Sequence, residues 1–123
     1  MADTNRNYLI LGAVYLSLGM LLGIVMGIRE SFELAPVHAH INLVGFACHS
    51  VFGVVGKVFP GVARDRLAKA QFWIFAVGSP ILMVGIAFSI VGHNPLVAIL
   101  GSLLTLLGAL LYLVMVLRSS AKV

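Results

Sequence analysis

Charge is what this chain has least of. Only 10% of its 123 residues are Asp, Glu, Lys or Arg, against roughly 25% in soluble globular domains. Residues 70–117 contain none of the four. A stretch of that kind cannot form a water-facing surface, and with 61% hydrophobic residues and a mean hydropathy of +1.11 a soluble globule is excluded. Cysteine is almost missing as well. The lone Cys48 excludes an internal disulfide and any CxxC metal knuckle, and reads as a small apolar packing residue. No catalytic triad, pair of carboxylates or phosphate loop is visible, so the sequence leans away from an enzyme. At this length one domain is expected.

What is present is greasy and segmented. Four apolar spans, at about 8–28, 36–59, 70–91 and 95–117, are each close to the ~20 residues needed to cross a bilayer. The first is too long, with the wrong flanks, for a cleaved signal peptide. All four must be helices, because strands with open edges would leave backbone groups unpaired in lipid. Pro36 and Pro95 suit first-turn positions, and Pro60 closes the second span. Pro80 falls inside the third, where a kink is expected with Ser79 available to the freed backbone. The fold class is therefore an all-α membrane protein of four transmembrane helices.

Basic residues set the expected orientation. Arg6, Lys57, Arg64, Arg66, Lys69, Arg118 and Lys122 fall on one side, while Arg29, Glu30, Glu33, His93 and Asn94 fall on the other. The positive-inside rule then puts both termini in the cytoplasm, as a multi-pass protein of the cytoplasmic membrane. The pI near 9.7 reads as topology and contact with anionic membrane lipid. Nucleic acid is set aside, since no soluble basic face is left to bind it.

The stretch "PVHAHINLVGFACHS" breaks the pattern, placing His38, His40, Asn42 and His49 in a span that otherwise reads as membrane interior. Intramembrane ionisable groups are costly and so point first to function. His38 and His40 belong to the outer half, His93 to a similar level, and His49 nearer mid-membrane. At about 100° per residue His38 and His40 point roughly 200° apart, to opposite faces of the helix. His38, Asn42, Gly45, His49, Gly53 and Gly56 share one polar, small-residue stripe, whereas His40 lies with Val44, Ala47 and Val51.

The run "HAHINLVGFACHSVFGVVGKVFP" resembles the tenth helix of subunit I of the haem-copper oxidases, which opens on His-x-His near the outer surface and closes on an aromatic–proline pair, here Phe59 and Pro60. The resemblance covers about a fifth of the chain. It implies that His38 ligates one haem and His40 another, on opposite faces. It also implies that these four helices correspond to one arc of that subunit's twelve-helix, pseudo-threefold ring, so that three copies would rebuild the ring. No adjacent His-His copper pair and no tyrosine placed to cross-link a copper ligand is present, so a complete oxygen-reducing centre is not expected. The expectation is a homotrimer holding b-type haem between His38 of one protomer and His40 of the next, for electron transfer or sensing, with a redox partner that the sequence does not identify. Asn42 would orient an imidazole.

Two rival readings use the same residues. His38, His40 and His93, with Glu30 or Glu33, could hold Zn²⁺ or Cu²⁺ at the outer face. Alternatively the chain is a structural or assembly subunit whose histidines only bond between helices, a role that suits His49 best. His93 in "GHNP" reads as a loop and cap residue, with Asn94 as helix N-cap before Pro95. Gly19, Gly23 and Gly27, and likewise Gly78, Gly85, Gly92, Gly101 and Gly108, form small-residue ladders that suit either oligomerisation or tight packing within one chain. Met20, Met26, Met83 and Met115 read as core filler, and Tyr8 and Trp73 as an interfacial aromatic belt.

Overall fold

The computed structural model describes residues 3–119; Lys122, counted above with the basic side, lies outside the described residues. Four helices are long and apolar enough to cross a membrane. They are α1 (Thr4–Arg29), α2 (Ala35–Val58), α4 (Ala68–Gly92) and α5 (Leu96–Arg118), with one short turn of helix, α3 (Pro60–Ala63), between α2 and α4. The chain is thus an all-helical, multi-pass membrane protein.

Local chemistry explains the ends. Asp3 caps α1, its carboxylate accepting from the Asn5 and Arg6 N–H groups at 3.0 and 3.2 Å. At the other end Glu30 turns left-handed at φ 51°, with its N–H on the Gly27 carbonyl and the Ser31 N–H on Met26. That is a Schellman closure made without glycine. His93, at the end of α4, is also left-handed, at φ 56°. Asn94 then accepts from the Leu96 N–H at 3.0 Å, but the N-cap of α5 is Pro95, one residue later than expected, so Pro95 stands at the helix boundary and not in the first turn. Inside α4, the Ser79 hydroxyl donates to the Phe75 carbonyl at 2.7 Å. The carbonyl that Pro80 leaves without its helical partner is that of Ala76, so Ser79 serves the neighbouring one instead.

The helices form two antiparallel hairpins, α1–α2 and α4–α5. Both termini and the α2–α4 connection share one end, here the N/C end; the loops at 30–34 and 93–95 share the far end. At the N/C end Lys57 pairs with Asp3 at 3.8 Å, and Arg118 with Asp65 at 3.3 Å. Asp65 is nearly buried and also accepts from the Leu67 N–H at 2.9 Å, which ties the foot of α5 to the middle loop.

Glycine makes both hairpins close, in two different ways. Along α4–α5, a Cβ on Gly85 would collide with the backbone of Val97 and Ala98, and one on Gly101 with the backbone of Ile81 and Leu82. Along α1–α2 four glycines meet side chains, Asn42 at Gly19, His38 at Gly23, Tyr15 at Gly45 and Asn5 at Gly56, while Gly53 meets the Asn5 carbonyl. The ladders are therefore used within one chain. Gly27 and Gly92 have nothing within 4 Å. The hairpins join through an aromatic cluster of Tyr8, Phe52, Phe72 and Phe75, with Cys48 packed at its edge.

Three expectations about packing are corrected. Tyr8 is turned inward into that cluster, whereas Trp73 is 57% exposed and does face outward. Met26, Met83 and Met115 are buried, but Met20 is 60% exposed. The straight α-helix assumed for the second span is interrupted: residues Ile41–Cys48 of α2 run as π-helix, between α-helical Ala35–His40 and His49–Val58. Wide turns of this kind occur often at functional sites.

Candidate functional site

The polar stripe of α2 faces α1. His38 lies in the groove opened by Gly19 and Gly23, its Cε1 2.9 Å from where a Gly23 Cβ would stand. Its Nδ1 is 2.8 Å from the Gly19 carbonyl. A carbonyl only accepts, so Nδ1 carries the proton and Nε2 is the acceptor. The Asn42 side-chain amide donates to that Nε2 at 3.3 Å, one turn along the helix. His38 is therefore satisfied at both nitrogens inside the chain, and it bridges the two helices of the first hairpin.

His40, two residues on, has a different environment. Its Nδ1–H donates to the Pro36 carbonyl at 2.7 Å, within its own helix. Its Nε2 has no hydrogen-bond partner among the described residues, and the ring is part-exposed on the side of α2 away from His38. The opposed directions expected for the pair agree with this placement. One imidazole is bound inward at both ends; the other is anchored at one nitrogen and open at the second.

His49 is wholly buried, at 0% exposure. Its Nδ1–H points to the carbonyls of Gly45 and Val44 at 2.7 and 3.0 Å, at the exit of the π-helical stretch. Tyr8, Tyr15 and Phe75 enclose the ring with centroid distances of 5.8, 5.3 and 5.1 Å. Its Nε2 is buried without a hydrogen-bond partner. His49 thus shares the α1-facing stripe with His38 and Asn42, but lies about eleven helical rises from His38, some 16 Å along the axis.

His93 is exposed in the far-end loop as the left-handed cap of α4. Among the described residues, no three His, Cys, Asp or Glu side chains come together in a way that could hold a metal ion. His38, His40 and His93, with Glu30 and Glu33, therefore form no shared metal cluster.

A second polar feature crosses the join between the hairpins. The Tyr8 hydroxyl donates to the Gln71 side-chain carbonyl, and the Gln71 amide donates to the Gly108 carbonyl at 3.3 Å. One chain of bonds so connects α1, α4 and α5. Gln71 is nearly inaccessible, and with Asn5, Tyr8 and Gly56 it lines a cavity of about 20 Å³. That holds one water at most and no porphyrin. Neither residue was singled out as polar machinery by the sequence reading. The signal was there, since Gln71 is a lone amide at the head of a span with no charge, where an unpaired amide would be costly.

No protein-family model, no curated protein and no solved structure matches this chain.

Proposed function

We propose that this chain is a haem-binding subunit of the cytoplasmic membrane, related to subunit I of the haem-copper oxidases, that carries or senses electrons through a b-type haem ligated by imidazole. The observation that supports it is His40. Its ring is held through Nδ1–H by a backbone carbonyl while the Nε2 lone pair is left open. A ligating histidine ordinarily has this arrangement, its second nitrogen fixed by an acceptor that sets the tautomer and raises ligand basicity. The ring is part-exposed on a helix whose neighbouring turn carries the well-exposed, apolar Leu43.

The donor set fits haem at His40 and fits it less well at His38. As folded, the His38 Nε2 is taken by Asn42 and its ring is packed against α1, with no gap for a macrocycle. Bound haem would supply a reversible one-electron couple. The chain's own residues do the rest. His40 binds and the Pro36 carbonyl orients it. In the proposed orientation the N/C end is cytoplasmic, consistent with Arg6, Lys57, Arg64, Arg66, Lys69 and Arg118 all lying there. A purely structural role is favoured for His38 and His49, whose donors are spent on backbone carbonyls.

The experiment is an absorption spectrum. Protein purified from a haem-supplemented host is expected to show a Soret band and a b-type pyridine haemochrome, and His40→Ala to lose both. A colourless wild-type protein overturns the reading.

A further inference from the structure

Among the described residues, His40 is the imidazole of a membrane-spanning helix whose second nitrogen is both unpartnered and open to the surface, since the unpartnered Nε2 of His49 is buried; a bis-histidine haem needs two such nitrogens. Resting on the haem reading above, we infer that the second axial ligand is His40 of a second copy, so that one haem is clamped between two α2 helices across a two-fold axis along the membrane normal.

His38 points to the opposite side of its helix, with both nitrogens engaged. His49 is sealed in the aromatic cluster, and its ring cannot reach the surface without unpacking Tyr8, Tyr15 and Phe75. His93 caps α4 in the other far-end loop. Of the described methionines, Met26, Met83 and Met115 are buried, leaving Met20 exposed on α1. Among the described residues of one chain, then, no further imidazole opens beside His40 to complete the coordination. Two copies inserted with the same orientation carry His40 at the same depth, and in an isologous two-fold contact the residue nearest the axis meets its own copy, so an axis beside His40 sets the two imidazoles face to face. A contact of any other order sets His40 against a different patch, where the remaining imidazoles are occupied, sealed or confined to a loop.

The test uses the full chain in lipid nanodiscs, loaded with haem b and measured for haem content, protein content and mass. One haem per two chains, a six-coordinate low-spin spectrum and dimers that form on haem addition are expected. His40→Ala should abolish haem binding and dimerisation together, while His38→Ala keeps both. One haem per chain overturns the inference, as does a five-coordinate spectrum from monomers. Loss of haem in His38→Ala at a one-to-one ratio would instead favour a ring built on His38 and His40. A near-infrared thioether band that vanishes in Met20→Ala would assign the second ligand to Met20. A wild-type protein with no Soret band would sink the haem reading itself, so the two failures are distinguishable. The stoichiometry and spectrum of the wild type decide the matter even if a variant fails to fold.

Discussion

The two hairpins use the same residue for opposite ends. In α4–α5, glycine lets backbone touch backbone: Gly85 and Gly101 abut the main chain of the facing helix, and the buried hydroxyls of Ser79 and Thr105 bond back to their own helices. In α1–α2, glycine makes room for polar side chains of the neighbour, namely Asn42, His38 and Asn5. The first arrangement resembles a scaffold, with dispersion and close approach as its source of stability. The second admits chemistry. The comparison teaches that small residues in a membrane helix do not by themselves announce oligomerisation or a cofactor; what fills the space they leave is informative.

The sharpest way to break the comparison is to overfill both seams. Gly101→Leu should be the most damaging change, costing more than about 3 kcal/mol, because the facing backbone cannot yield. Gly27→Leu, with nothing within 4 Å, should cost almost nothing. Unfolding midpoints in a detergent–denaturant titration would rank them, and equal effects would refute the assignment of the seams.

A smaller effect sharpens it. Gly19→Ala should cost on the order of 1–2 kcal/mol by displacing Asn42, and Asn42→Ala in the same molecule should recover most of that loss, a non-additivity that a double-mutant cycle measures. No side-chain truncation on α4 should rescue Gly101→Ala. At the join between hairpins, Gln71→Leu should cost about 1 kcal/mol, and adding Tyr8→Phe should then cost little more, since the hydroxyl has already lost its acceptor. Fully additive losses at Tyr8 and Gln71 would mean that the bond contributes nothing. Smallest of all, His93→Gly should stabilise by a few tenths of a kcal/mol, relieving the left-handed backbone at φ 56°; a loss of stability would reveal a role for the imidazole beyond capping.

The four helices were legible because charge is absent where lipid must be, a constraint too strong for local detail to override. The stripe from His38 to Gly56 was legible for a related reason: a 3.6-residue period survives whatever the stripe faces. Which neighbour it faces was not legible. The same glycines suit a second copy or the preceding helix, and only the observed seating of Asn42 and His38 against Gly19 and Gly23 distinguishes them. Tyr8 was misjudged because proximity to a helix end suggests an interfacial aromatic, and only the position of Gln71 across the join turns it inward. Met20 was misjudged because hydrophobicity carries no facing information in a helix bathed in lipid. The π-helical stretch at Ile41–Cys48 left no mark in the sequence pattern.

The carbonyl that steers His40 belongs to Pro36, in the opening turn of α2, directly after the short 30–34 connection. The aim of that imidazole is thus set inside the opening turn of α2 itself. Its anchor and the seating of His38 and Asn42 on α1 share no bond, so evolution or an engineer could retune this one nitrogen from the first turn while the seam stayed put.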